Sequence, residues 1–456
     1  MTEEGIIKNQ APLASSAARR QALEILEAGV AAVLPARLIS RALAFDRAGR
    51  TLSIMGREHR LEGRIFVLGA GKASGAMAEA LEGLIGADLI SAGLVVDKAD
   101  PRDFKTSSIC IKQAGHPLPD QRGVAAANEI LNLKADYSIG AGDTLLCLIS
   151  GGGSALLPAP AEGVSLEDKL GATRLLLSCG ADIQEINTVR KHLSQLKGGR
   201  LAAHFAPARI ISLIISDVVG DELSVIASGP TYPDNSTFQD ALAILGKYHL
   251  LDRVPRNVLS VLEAGQRGRV AETPKTLDNA LNYILADNLT ALQAMAREAS
   301  RLELTSRIVT ARQTGETEAV ARMRAEEVLC GRYSAFEVVL LGGETTPVLP
   351  ARPGKGGRNQ HMAASIPLWL ADYQGDWVFA SLGTDGSDYL PEAAGAIVDQ
   401  GTLAAYRRLR PDYSERLKNY DSYRLLKTLP DSLIVTGDTH TNVGDIMLFL
   451  FPPRPS

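Results

Sequence analysis

Between Ala17 and Leu43 the apolar side chains Ala22, Leu23, Leu26, Val30, Val33 and Leu34 recur close to helical period, and Pro35 breaks or restarts the helix they predict. The period then changes. Arg64-Ile65-Phe66-Val67-Leu68 is a short continuous apolar run ending in Gly-Ala-Gly, and Ala73 to Leu84 has helical composition, so this stretch reads strand, glycine turn, helix. Ala92 to Val96 predicts the next strand; Thr144 to Ser150 runs into three glycines, and Arg209 to Ser216 into an aspartate-bearing turn. Buried strands alternating with helices imply an α/β fold with a mainly parallel sheet covered on both faces. After Asp234 the chain is helical and polar to about residue 280, and Tyr283-Ile284-Leu285 is expected to open a second series, with later strands at Glu337 to Leu341, Trp377 to Ser381 and Asp431 to Val435. A boundary near 275–282 follows, giving two domains, 15–278 and 279–452.

Composition narrows the function classes. The 456 residues carry 48 Lys+Arg against 52 Asp+Glu, a net charge of −4, too balanced for nucleic-acid or anionic-membrane binding through bulk charge. Phosphate recognition, where it occurs, must be local. No run of about 18 apolar residues occurs, and the acidic amino end lacks the apolar core of a signal peptide. Cys110, Cys147, Cys179 and Cys330 are widely spaced without a CxxC pair, which fits neither a disulfide framework nor zinc, and a cytoplasmic location is expected. Aromatic residues are scarce at 5% while glycine reaches 42, which shifts recognition from ring stacking towards glycine turns and backbone donors.

Five loop sets carry candidate chemistry. Gly69-Ala70-Gly71-Lys72-Ala73-Ser74-Gly75 follows a strand and opens a helix, the context of a dinucleotide fingerprint, and Asp97 falls about where a ribose-binding carboxylate would. The spacing is GxGxxxG rather than GxGxxG, however, and Lys72 puts a cation where another anion would meet backbone N–H groups. A nicotinamide dinucleotide, a different anion and a plain tight turn all stay open there. Ser150-Gly151-Gly152-Gly153-Ser154 lets backbone wrap an oxyanion between two hydroxyls. Within Glu185 to Arg200, Ile186, Val189, Leu193 and Leu196 mark one helical face, and Asn187, Arg190, Ser194 and Lys197 mark another, either a solvated basic face or a cationic wall. Asp217, just past a strand, suits magnesium, while Asp221 suits a turn or cap. The fifth set, Gly342 to Thr346, Gly354 to Gln360, Gly383 to Asp388 and Thr439 to Asp445, is expected to converge on one sheet edge, with Arg358 as a planar fork for oxyanions. His116 precedes Pro117 and reads chiefly as part of an extended turn.

In that order, Ser150 to Ser154, Asn187 to Leu201, Ile214 to Asp234, Gly354 to Gln360 and Gly383 to Asp399 resemble the glycerate 2-kinases, whose carboxyl half is the MOFRL domain. The likeness runs from about residue 17 to 448. It implies a Rossmann-like amino-terminal domain and a MOFRL-type carboxyl-terminal domain, each a mainly parallel or mixed sheet covered by helices, with the active site in the cleft between them. It also implies ATP-dependent phosphorylation of D-glycerate at its 2-hydroxyl to give 2-phosphoglycerate and ADP, with magnesium. Lys72 and Arg358 match the family's lysine and arginine, and with Asp217 they are the expected catalytic set. Ser150, Gly151, Gly152, Gly153, Ser154, Lys197 and Asp385 are expected at the nucleotide, and Asp217 and Asp385 at the metal. For the hydroxyl-deprotonating base, Asp217 and Asp385 both stand as candidates. D-glycerate is the expected partner, with no nucleic acid or membrane, for a monomer or homodimer. The chain departs from the family pattern at Val219, His361, Glu392, Asp438 and His440. Two rivals are an NAD(P)H-dependent hydroxypyruvate reductase and a non-catalytic sugar-acid sensor.

Overall fold

The structure is a computed structural model and is described for residues 5–452. The chain forms two compact units: a first unit, Leu38–Leu285, and a second that joins the segment up to Arg37 to the segment from Ala286 onward. The first unit opens with an antiparallel meander of β1 (Leu43–Asp46), β2 (Thr51–Ile54) and β3 (Arg57–Arg60). Its main sheet comprises β4 (Ile65–Ala70), β5 (Ile90–Asp97), β6 (Ile109–Gln113), β7 (Thr144–Ser150), β8 (Arg209–Ile215) and β9 (Ala280–Ala286), in spatial order β6-β5-β4-β7-β8-β9. The pairings from β6 through β8 are parallel. Every residue of β4 and β7 is buried, as expected of central parallel strands covered on both faces. The strand order reverses between β4 and β7, so their carboxyl ends stand side by side at a topological switch point, where open α/β sheets bind ligands.

The Tyr283-Ile284-Leu285 run does not open a second series. It lies in β9, at the edge of the first sheet, next to Asn279, whose carbonyl accepts from Ile210 N–H at 2.7 Å. Its apolar pattern specifies a strand but not the sheet that the strand joins.

The second unit holds a mixed sheet of β10 (Ser306–Gln313), β11 (Val338–Gly343), β12 (Val378–Gly383), β13 (Gly395–Asp399), β14 (Leu433–Ile434) and β15 (Asp445–Leu450), ordered β10-β11-β15-β12-β13-β14. Only β10 and β11 pair in parallel; the remaining pairs are antiparallel. Strand β15, wholly buried, sits between β11 and β12, with Asp445 in register with both Gly343 and Gly383.

The compact units differ from the contiguous division 15–278 and 279–452, because the amino-terminal helix Ala17–Ala32 packs in the second unit. A Cβ at Gly29 would lie 2.7 Å from Met295 Cγ and 3.1 Å from Ile446 Cδ1. Arg19, 1% exposed, donates to Leu13 O at 2.9 Å and to Asp399 Oδ2 at 2.6 Å, and also reaches Asp431 O. An amphipathic helix advertises an apolar face without naming the sheet that will cover it.

Candidate functional site

In the first unit the two glycine loops at the β4/β7 switch point are sewn together. Lys72 N–H donates to Gly151 O at 2.9 Å, Ala73 N–H to Ser150 Oγ at 2.9 Å, and Ser74 Oγ–H to Leu148 O at 3.1 Å. A Cβ at Gly69 would fall 2.0 Å from Leu148 O, so the close approach of the strands itself demands glycine. Ser150, expected at the nucleotide, is fully buried, and its hydroxyl oxygen accepts from Ala73 N–H in this seam. Gly151 and Gly153 are buried, and Gly152 and Ser154 are partly open. Gly152 has φ +81°, and a Cβ there would meet His116 Nε2 at 2.8 Å and Lys72 Cγ at 3.2 Å. The loop therefore brings partly exposed Lys72 and His116 to one glycine, and His116, which its sequence context marked chiefly as a turn residue, belongs to this cluster.

Asp97 is fully buried, and its carboxylate accepts from Gly75 N–H at 2.8 Å and Ala99 N–H at 3.0 Å. It clamps the turn, and its burial leaves it no route to a ribose hydroxyl.

The basic face is built differently from the continuous helix that its spacing suggests. The helix Ile183–His192 ends before Ser194, with Ile186, Val189 and Leu193 buried as the pattern predicts. Ser194 Oγ then accepts weakly from Leu196 and Lys197 N–H, both at 3.3 Å, and takes no part in the cationic wall. Lys197 Nζ, folded back by this turn, donates to Ser154 Oγ at 2.7 Å and to Ser154 O at 2.9 Å, and Arg190 Nη2 donates to the same hydroxyl at 2.6 Å. Ser154 Oγ lies 3.0 Å from Ser228 Oγ, which donates to Asn187 Oδ1 at 3.2 Å. Burial, reinforced by Lys169 and Arg190, pushes the Lys197 pKa well below that of an ordinary lysine. Lys169, on the helix Leu166–Ser178, lies outside every motif, and only its place in the fold joins it to these cations.

Ser228 sits in a run of left-handed residues, Ala227 (φ +50°), Ser228 (φ +63°) and Gly229 (φ +61°). For alanine and serine this conformation costs roughly 1–2 kcal/mol each. The run is held by Gly198 N–H on Ser228 O at 3.0 Å and Gly199 N–H on Gly229 O at 2.7 Å. Asp217 is half-buried just past β8, and Asp221, at φ +58°, is a turn residue.

In the second unit the four loops meet at the ends of β11 and β12 and the start of β15. Arg358 opens the helix Arg358–Trp369; its guanidinium donates to Asp445 Oδ2 at 2.6 Å and Oδ1 at 3.0 Å, and pairs with Glu344 at 2.8 Å. Burial works against its charge, but the Asp445 and Glu344 carboxylates outweigh burial and raise its pKa above the ordinary value. Buried Asp388 accepts from the N–H groups of Asn359 at 3.1 Å and Gln360 at 2.7 Å, fixing the helix start. Its own pKa is pushed up to about 6, first by burial, with Asp445 adding to the rise. A Cβ at Gly357 would lie 2.2 Å from Asp388 Cγ, and one at Gly354 2.4 Å from Asp421 Cβ, so these glycines serve loop packing. Thr384 locks the third loop to the fourth: its N–H donates to Gly444 O at 3.0 Å and its Oγ accepts from Val443 N–H at 2.9 Å. Asp385, 8% exposed, accepts from Ser387 N–H and Oγ–H, both at 3.1 Å.

Charge separates the two clusters. In the first, Arg190 and Lys197 donate to the neutral oxygens of Ser154, whereas in the second Arg358 is outnumbered by carboxylates. Among the described residues, no group of three or more His, Cys, Asp or Glu is placed to hold a metal ion. Asp217 in the first unit and Asp385 in the second are each a single carboxylate in its own loop.

Residues 21–263 match the family described as a domain of unknown function, DUF4147, and residues 337–445 match the MOFRL family. The glycerate 2-kinase of Pyrococcus horikoshii is 40% identical over 87% of this chain and 89% of its own length. For the D-glycerate 2-kinase of Thermotoga maritima the figures are 36%, 95% and 98%, and for human glycerate kinase 37%, 97% and 95%. This chain belongs to the glycerate kinase family. The crystal structure of a Thermotoga maritima glycerate kinase superposes with TM-score 0.81 at 34% identity, covering 95% of this chain and 99% of that one. Family relatives also include a putative hydroxypyruvate reductase of Agrobacterium vitis, 40% identical over 86% of this chain and 88% of its own length. As in its family, the fold is α/β in two units of parallel and mixed sheets. No helix among the described residues is long and apolar enough to cross a membrane.

Proposed function

We propose that this protein is a kinase that transfers the γ-phosphoryl group of ATP to the 2-hydroxyl of D-glycerate in the cytoplasm, giving 2-phosphoglycerate and ADP. The observation that carries this reading is the convergence of Lys72, Arg190 and Lys197 on the Gly151–Ser154 loop at the switch point, without a carboxylate among the hydrogen-bond acceptors of Arg190 and Lys197. Phosphoryl transfer asks a protein for positioning and charge neutralisation, and this cluster supplies both. The reductase reading leaned on Asp97 as a ribose ligand, and the burial of that carboxylate beneath the turn removes its support.

In this reading Gly151 to Ser154 and Lys197 hold phosphate oxygens, and Lys72 stabilises the transferring group. Arg358, fixed by buried Asp445, turns to an anionic substrate group by exchanging the exposed Glu344 contact. Asp217 and Asp385 are the carboxylates for magnesium, which when bound neutralises charge on the phosphates. The deciding experiment is turnover of D-glycerate with magnesium and ATP, with the product assigned by phosphorus NMR. The expected product is 2-phosphoglycerate, and Lys72→Ala and Arg358→Ala should each lower kcat by about 10²-fold or more. Absence of ATP turnover beside NAD(P)H-linked hydroxypyruvate reduction would overturn the proposal.

A further inference from the structure

Lys169 poses a problem that the reaction described so far does not answer. It is 5% exposed, its ammonium has no hydrogen-bond partner, and burial followed by repulsion from Arg190 lowers its pKa to about 7. Arg190 and Lys197 converge on Ser154 Oγ at 2.6 and 2.7 Å, and that hydroxyl is neutral. With Ser228 Oγ donating to Asn187, Ser154 Oγ uses its own hydrogen towards Ser228 and faces the two cations with lone pairs alone. Three basic side chains thus crowd into a largely buried volume whose local acceptors carry no formal charge, and keeping all three charged there is costly. Such a cluster is unfavourable unless an anion completes it. Ser154 and Arg190 are only partly buried, which leaves the site a side on which an anion can enter.

We propose that Arg190 and Lys197, which converge on Ser154, together with the unpartnered buried ammonium of Lys169 beside them, form a site for a dianionic phosphoryl group, in which Lys169 supplies the third charge. The inference rests on the kinase reading only for the source of that group, which is either the nucleotide polyphosphate or the phosphorylated product. The charge balance favours a phosphate over a monoanionic carboxylate, since three cations face one ligand.

The test uses the full-length protein without magnesium, so that binding is read apart from turnover. Calorimetric titration with tripolyphosphate, ADP, 2-phosphoglycerate and D-glycerate is run on wild type, Lys169→Met, Arg190→Met and, as control, the exposed Lys105→Ala. Tripolyphosphate affinity should fall at least tenfold in Lys169→Met and Arg190→Met and stay unchanged in the control. A matching loss for ADP assigns the site to the nucleotide, and a matching loss for 2-phosphoglycerate assigns it to the product. Unchanged affinity for all the phosphates in both methionine variants overturns the proposal, as does a loss confined to D-glycerate. Because these readings need no turnover, a protein that binds tripolyphosphate through Lys169 yet fails to phosphorylate D-glycerate refutes the kinase reading alone.

Discussion

Replacing Lys169 by methionine should make the ligand-free protein more stable. The substitution keeps the apolar stem and removes an ammonium that is buried and unpaired. A lysine whose pKa falls from 10.5 in the unfolded chain to about 7 in the folded one binds its proton more weakly in the native state. Between those values the unfolded state holds more protons, so the penalty is full below pH 7 and fades as the pH rises towards 10.5. At about 1.4 kcal/mol per unit, the gap is about 4 kcal/mol near pH 7.5 and about 1 kcal/mol near pH 9.5. Relaxation around the site reduces the first figure to about 2–4 kcal/mol. Urea unfolding of wild type and Lys169→Met at both pH values, without phosphate, reads the difference directly. A variant less stable than wild type at pH 7.5, or a gap that ignores pH, would falsify the reasoning. Gained stability together with lost phosphate affinity is the trade expected of a residue kept for binding.

Arg19→Met should destabilise the second unit by about 3–5 kcal/mol, because it leaves the partly buried Asp399 carboxylate without its cation; equal urea midpoints for variant and wild type would contradict this. His361 is fully buried, stacked on Tyr420 at 3.6 Å between centroids, and burial lowers its pKa to about 4. Its neutral form stabilises the fold above pH 6.5, and that contribution is lost as the pH falls towards 4, by about 3 kcal/mol in all. Asp388 slopes the opposite way over nearly the same range, so the measurement is the difference between wild type and His361→Phe from pH 7 to 4.5, and a flat difference refutes it. Gly152→Ala, with a left-handed backbone and His116 Nε2 at 2.8 Å from the new carbon, should cost about 1–2 kcal/mol in stability and lower turnover at least tenfold; a fully active, equally stable variant would show that the loop has room to spare.

The main sheet of the first unit was largely legible because β4, β7 and β8 are almost wholly buried and read as short, strongly apolar runs. The second unit was harder. Strand β10 is amphipathic and lies at a sheet edge, and the start of β15 is hidden in a polar loop whose last residue, Asp445, pairs with Arg358. Glycine-rich motifs located the site loops but not the purpose of each glycine: Gly69 and Gly357 answer to close packing, whereas Gly152 faces Lys72 and His116. Arg190 and Lys197 were visible in a basic motif, whereas Lys169 sits in an ordinary amphipathic helix and becomes notable only through burial. Asp97 shows the converse, since its spacing suggested a ligand contact and its surroundings make it a clamp. Spacing records which residues share an element, and charge balance emerges only after elements from distant parts of the chain have packed.

The central place of β15 has a consequence for synthesis on the ribosome. The first unit has all its strands once residue 286 has left the exit tunnel, and can fold while translation continues. The second cannot close its sheet until residues 445–450 emerge, because β11 and β12 each pair with that strand and not with each other. Until then the helix Ala17–Ala32, made among the first residues, waits with its apolar face uncovered. Nascent chains stalled before residue 445 should therefore pair a protease-resistant first unit with exposed segments on both sides of it, a natural substrate for chaperones.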